Sequence, residues 1–363
     1  MWQLEPRPNT SVFWTAITPV LAVLATMVAG GLLFAFLGDG PFALEKGIKA
    51  IRVIFYDPLT QPYTRSQLFV KGAPLILIAI GLSLGFRAGI WNIGAEGQFI
   101  MGAVAGGAAG LAVYPVEAFW VLPLMAICGA LGGFLWAMIP ALLKIRFGAN
   151  EILVSLMLVY VATNFLGGMV IGPMQNPEGL GFPESRSFQQ YPSASNPEII
   201  AGTGIHYGVL LMFATVIVAY ILLNRHILGF QIRLTGQSPR AARFAGVNPN
   251  VLIAVVLGIS GALAGLAGLF EVTGPAGKLT TNFPVGYGFT AIIVAFLGRL
   301  NPIGIFLAGL VLALTYIGGE TAQYVLRVPA ATISVFQGML LFFLLAFDVL
   351  SGYRVRRIRK ERV

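Results

Sequence analysis

The sequence predicts an all-α, polytopic membrane protein with about ten transmembrane helices, and three observations carry that prediction. Hydrophobic residues make up 57% of the chain and charged residues 10%, whereas about a quarter of a soluble domain is charged. The apolar residues fall in long runs, near the roughly 20 residues a helix needs to cross a hydrocarbon core about 30 Å thick. The 45 glycines suit helices packed closely in lipid, and no period of two marks the strands of a β-barrel.

The candidate spans, in order, are residues 15–37, 73–90, 99–113, 119–143, 152–171, 207–223, 251–270, 288–300, 303–317 and 330–350. The first lacks a small-residue cleavage site behind it and reads as a retained helix rather than a signal peptide. Residues 38–72 are polar and partly helical in pattern, and residues 172–204 are rich in Pro, Ser and Asn; both read as extracytoplasmic caps. Segments 73–172 and 251–348 each hold four spans and start from opposite sides, which allows inverted repeats with a path near their interface.

Charge sets the orientation. With both termini in the cytoplasm, the cytoplasmic segments hold Arg7, Arg87, Lys144, Arg146, Arg225, Arg233, Arg240, Arg243, Arg299, Arg354, Arg356, Arg357, Arg359, Lys360 and Arg362, fifteen of the 23 Lys and Arg. That is the bias of the positive-inside rule. The net charge of +9 is then explained by membrane lipid, without a nucleic-acid partner. Cys128 is alone within a span, so it reads as a buried structural thiol.

Soluble-enzyme motifs fail on inspection. Gly277-Lys278 lacks the flanking residues of a phosphate loop, with Val272 and Leu279 at the deciding places. Gly286-Tyr287-Gly288 fits a loose dinucleotide pattern without a βαβ context. His206 and His226 are the only histidines and fall on opposite sides of the membrane, which excludes a histidine metal cluster. The chain is expected to be no enzyme and to bind no cofactor or metal itself.

Two polar stretches interrupt the apolar runs. The first, GFRAGIWNIGAEGQFIMG at residues 85–102, sets Asn92, Glu96 and Gln98 between two spans. Non-helical backbone in lipid survives only where it is buried in protein or lines water, so these residues are expected at a broken helix beside a translocation path. The alternative is that Asn92 and Glu96 merely cap a helix end. In the related run Arg146–Glu151, Gly148 makes a turn, Asn150 caps the next helix and Glu151 sits at its positive end. The pairs Gly85/Gly89, Gly106/Gly110, Gly129/Gly133 and Gly261/Gly265 have the spacing of close helix contacts.

The second stretch, residues 224–250, carries four arginines and a short helical pattern from Pro239 to about Ala245, ended by Gly246. A cytoplasmic loop of that size is a surface for another protein. Ala241, Ala242 and Ala245 form a small-residue face, and Arg240 and Arg243 reach for an acidic partner or, alternatively, anchor the loop to the membrane surface. Residues 351–363 form a basic cytoplasmic tail on an otherwise single transmembrane domain spanning residues 1–363.

NIGAEGQ at residues 92–98, GANEI at 148–152, GFQIRLTGQSPRAARFAGVNP at 229–249 and GRLNPIG at 298–304 occur in this order with matching spacing. Together they resemble the permease subunits of bacterial ABC importers of the branched-chain amino acid/ribose type. The likeness runs from about residue 71 to 348 and is greatest to the branch that serves nucleosides through a basic-membrane-protein-like lipoprotein. Trp91 departs from it, where Phe is more usual. The resemblance implies a plasma (inner) membrane location. It also implies an ABC ATPase subunit holding ATP and Mg, a second permease subunit (a homologous chain or a second copy), and an extracytoplasmic substrate-binding lipoprotein. Pro239, Arg240, Ala241, Ala242, Arg243 and Gly246 would then couple the ATPase to the path, and Asn92, Glu96 and Gln98 would border it. A neutral monosaccharide such as ribose is the alternative solute. An ion-coupled secondary transporter is the rival class, although it needs no docking loop and usually carries more ionisable residues in its spans.

Overall fold

The computed structural model describes residues 2–6, 12–36, 43–283, 286–351 and 353–357. Arg7, Arg359, Lys360 and Arg362 of the charge count lie outside the described residues, as do residues 38–42 of the first cap. The fold is helical, apart from one short antiparallel strand pair between Trp2–Pro6 (β1) and Tyr353–Arg357 (β2), with Trp2 opposite Arg357. The two ends of the chain are therefore neighbours.

Among the described residues, eight helices are long and apolar enough to cross a membrane. They are α1 (Val12–Phe36), α4 (Pro62–Arg87), α6 (Val121–Phe147), α7 (Glu151–Ile171), α8 (Tyr207–Arg225), α11 (Pro249–Thr273), α13 (Pro302–Leu326) and α14 (Ala330–Ser351). The expected spans 99–113 and 288–300 correspond to α5 (Ala95–Ala112) and α12 (Tyr287–Leu297). At 1.5 Å per residue α5 is about 27 Å long and α12 only about 16 Å, half a hydrocarbon core. The apolar run after residue 286 thus makes a half-helix, because Gly298 and the left-handed residues Arg299 and Leu300 stop it.

The chain divides into two compact units. The smaller is built from the described residues before Arg65 and after Ala313. In it α2 (Leu44–Phe55) and the one-turn α3 (Asp57–Thr60) fill the middle of the first cap, whose end from Pro62 onward is already α4. Gly47 lies flush against the Gly31 carbonyl of α1, which a Cβ would meet at 2.2 Å. Phe336 of α14 sits 6.1 Å from both Phe34 and Phe55, ring centre to ring centre, in a core with Ala50, Val53 and Ile54.

The larger unit, Arg65–Ala313, holds the polar stretches. In it α4 is buried at every residue from Gly72 to Phe86, as expected for a helix that is apolar on all sides. The helices α5, α6 and α11 approach one another through glycine. A Cβ on Gly133 would meet the Gly261 carbonyl at 2.1 Å, and one on Gly102 would meet the Gly265 Cα at 2.1 Å. Two of the four glycine pairs, 129/133 and 261/265, therefore face each other. The outer face of α6 presents Ile127, Leu131 and Leu135, exposed at a four-residue spacing to lipid. Cys128 on α6 is a free thiol and only half-buried. Outside the helices, residues 172–206 fold back as a cap, bridged to the loop after α11 by Glu184–Thr280 pairing and the Lys278–Glu184 ion pair at 2.5 Å.

Candidate functional site: a polar knot at membrane depth and the loop beneath it

After Arg87 the chain leaves helical geometry until Ala95, and side chains take up its backbone donors. The Trp91 N–H reaches Glu151 Oε1 at 3.4 Å, Ile93 N–H reaches Ser155 Oγ at 3.2 Å, and Gly94 N–H reaches Asn92 Oδ1 at 3.1 Å. In lipid each orphaned peptide group costs several kcal/mol, so this loop persists because α7 supplies two of those acceptors and Asn92 of the loop itself the third. Glu151 is also paired with Lys144 of α6, while Asn150 caps α7 by accepting Ile152 N–H at 2.9 Å. Trp91 stacks on Phe296 and meets Phe86 at a tilt of 41°.

Asn92, Glu96 and Gln98 are all buried, at 1%, 2% and 1% exposure. Asn92 and Gln98 bond to each other, and Asn92 Nδ2 also donates to Ser260 Oγ of α11 at 3.0 Å. Glu96 points elsewhere. Its two carboxylate oxygens accept the N–H groups of Gly286 at 2.9 Å and Gly288 at 2.6 Å, across 190 residues of sequence. Those are first-turn donors of α12, which has no local side-chain cap, so Glu96 caps a helix from outside it. Gly288 is pressed on the Glu96 backbone, where a Cβ would meet nitrogen at 2.2 Å. Beside this contact Phe99 stacks on Phe283 at 5.2 Å and meets Tyr287 edge-on at 5.9 Å. At its far end α12 is tied to α4 by a bond from Arg87 Nε to the Leu300 carbonyl at 3.0 Å.

The three sequence-picked residues thus share one buried region, but in two separate contacts. Sequence reading passed over Ser260, Phe283, Gly286 and Gly288. The two glycines flanking Tyr287 serve the fold rather than a nucleotide: Gly286 takes a left-handed φ of 81°, and Gly288 permits the close approach of two helix starts.

Residues 224–250 hold more order than a single short helix. They contain α9 (Ile227–Gln237) and α10 (Pro239–Phe244), each with a side-chain cap: His226 Nδ1 accepts Leu228 N–H at 3.1 Å, and Ser238 Oγ accepts Ala241 N–H at 3.3 Å. Gly246 ends α10 with φ of 80°, and Asn248 Oδ1 caps α11 through Asn250 N–H at 3.0 Å. Ala242 is fully buried with Leu84, Ala88, Ile90, Leu223, Ile232 and Val247, whereas Arg240, Ala241, Arg243, Phe244 and Ala245 are exposed. The small-residue face is therefore split, with Ala242 inward and Ala241 and Ala245 outward. Phe244, unmarked in the sequence reading, is 95% exposed. A Cβ on Gly236 of α9 would lie 1.9 Å from the Arg87 carbonyl, so the loop abuts the end of α4 where the polar knot begins. Among the described residues no three His, Cys, Asp or Glu side chains converge to hold a metal.

The sequence model of the family described as branched-chain amino acid transport system, permease component, matches residues 64–345. The glucose ABC transporter permease protein TsgB13 of Haloferax volcanii is 34% identical over 97% of this chain and 93% of its own length. The guanosine ABC transporter permease protein NupP of Bacillus subtilis is 29% identical over 94% of each chain. The nucleoside ABC transporter permease protein NupB of Lactococcus lactis is 23% identical over 90% of each.

Proposed function

The chain belongs to the family of branched-chain amino acid transport system permease components and is a multi-pass permease subunit of an ABC transporter, and from that premise we propose that it imports nucleosides across the plasma (inner) membrane. A permease of this family is a transport component, and it works with an ATPase subunit and a substrate-binding protein. The observation that carries the nucleoside reading is likeness to guanosine and nucleoside permeases over nine-tenths of the chain or more, joined to the NIGAEGQ run at residues 92–98. The spans carry few charges, which disfavours highly charged solutes such as nucleotides. A neutral monosaccharide is the second reading, favoured by the 34% identity to a glucose permease.

In this reading both termini and residues 224–250 face the cytoplasm. Arg240, Arg243 and Phe244 dock in a groove of the ATPase subunit, which holds ATP and Mg. The buried Ala242 passes that subunit's closure into the core as a rigid-body shift, because packed side chains transmit strain rather than absorb it. The shift arrives at the end of α4 through Gly236 and Arg87, and there Asn92, Glu96 and Gln98 border the path. A second permease subunit, a homologous chain or a second copy, completes that path, and an extracytoplasmic lipoprotein delivers the solute. Uptake of labelled guanosine, adenosine, uridine, ribose and glucose by cells with and without this gene tests the solute. Gene-dependent accumulation of nucleosides is expected; accumulation of a sugar alone would leave the importer standing and remove the nucleoside.

A further inference from the structure

We propose that Glu96 is the latch of a gate at membrane depth: solute crosses only when the start of α12 releases its carboxylate and Phe283 swings off Phe99. The proposal rests on the importer reading above and adds to it a closing element with named parts.

A half-helix that begins inside the membrane exposes first-turn N–H groups with no water to meet them. At α12 the cap position is Gly286, which has no side chain to offer. Glu96 supplies both acceptors from the first turn of α5, so one carboxylate sits between two helix starts. Each start carries roughly half a positive charge, and together they balance one carboxylate without a Lys or Arg. That balance holds only while α12 stays in contact. The missing Cβ of Gly288 allows the contact to be flush.

The same two segments carry the plug. Phe99 follows Glu96 by three residues and shares its side of α5, and Phe283 lies three residues before the α12 cap. Their rings lie 10° from parallel at 5.2 Å between centres, and both are buried. Admitting a flat solute between them requires about 7 Å between ring planes, two contact distances of about 3.5 Å. The rings must therefore part, and the latch that opposes this is the hold of Glu96 on Gly286 and Gly288, three and five residues along the chain from Phe283. The lever is on the same helix. Past its end, Leu300 is bonded to Arg87, which abuts Gly236 of the cytoplasmic loop.

The test uses the full transporter complex in vesicles preloaded with labelled guanosine or, in parallel, glucose, without ATP or binding protein. Efflux is measured per folded complex. The variants are Glu96→Ala, Glu96→Asp, Gly288→Ala and Phe283→Ala. Losing a charge-assisted bond should raise the open population by at least about tenfold. Glu96→Ala, Gly288→Ala and Phe283→Ala should thus leak tenfold or more above wild type, and Glu96→Asp should restore most of the seal. A purely structural Glu96 would reduce the folded amount and leave efflux per complex unchanged. Where Glu96→Ala does not fold, Phe283→Ala decides. Wild-type tightness in Phe283→Ala and in every folded Glu96 variant overturns the latch. The same leak pattern with glucose but not guanosine keeps the latch and removes the nucleoside.

Discussion

Asn92 and Gln98 hold each other by two reciprocal amide bonds, Nδ2 to Oε1 at 2.9 Å and Nε2 to Oδ1 at 3.0 Å, both residues buried in the centre of the larger unit. The ring they form fixes the break between α4 and α5, because the same Asn92 oxygen also accepts the Gly94 N–H. Replacing one partner strands the other. Asn92→Leu should cost about 1–3 kcal/mol, the penalty of an unpaired buried amide, and adding Gln98→Met should recover part of it. Unfolding midpoints of the two single variants and the double variant in detergent check this; additive losses would show that the pair is not a unit.

The glycine contact between α6 and α11 makes a sharper prediction. Gly133→Ala drives a Cβ to 2.1 Å from a backbone oxygen, while at Gly167 on α7 a Cβ meets nothing within 4 Å. Overpacking of this kind costs about 1–3 kcal/mol or more where backbone must move. Gly133→Ala should lower the yield of folded protein in the membrane, and Gly167→Ala should leave it unchanged.

The loop of residues 224–250 should uncouple transport from hydrolysis when its outer face is changed. Arg243→Glu reverses an exposed charge, Gly246→Val forces a branched side chain into a φ of 80°, and Phe244→Ala removes the exposed ring. Each is expected to lower uptake per ATP hydrolysed by about tenfold, the effect of losing one anchoring contact. Membrane insertion and solute capture by the separate binding protein should persist. Paired uptake and hydrolysis assays read the ratio; an unchanged ratio in all three variants would remove this loop from coupling.

Acid should loosen the cap of residues 172–206 at His206. Burial pushes its imidazole from the usual 6.5 down to about 4. Its Nδ1 accepts the Gly208 N–H at 3.0 Å as the cap of α8, so the neutral ring is the form the fold uses. The unfolded chain takes up the proton first. The stability is therefore complete above about pH 6.5 and falls by about 3 kcal/mol as pH drops to about 4. His206→Asn keeps an acceptor for the cap and removes the titration. Hydrogen exchange across residues 196–208 should speed up on acidification in the wild type and much less in the variant.

Much of this architecture was legible in the sequence, because lipid forces each apolar run of sufficient length into a helix. The loop of residues 224–250 stood out by charge, and Pro239 and Gly246 marked the bounds of its short helix to within two residues. Gly148 and Asn150 make the turn and the cap that their types require. The half-length of α12 was not legible, since an apolar run carries no sign of the depth at which it starts. The partner of Glu96 lies 190 residues away and is backbone, so no side-chain pattern announces it. Phe244 escaped because one phenylalanine among 26 acquires meaning only when the fold leaves it bare.

The proposed ATP-driven import of nucleosides through this chain can be measured in vesicles reconstituted with this permease, its ATPase subunit and, outside, its binding protein. Labelled guanosine should accumulate inside only when all three proteins and ATP are present, and excess unlabelled nucleoside should compete while glucose should not. Accumulation of glucose but not guanosine under those conditions, or guanosine uptake driven by an ion gradient without ATP, would contradict it.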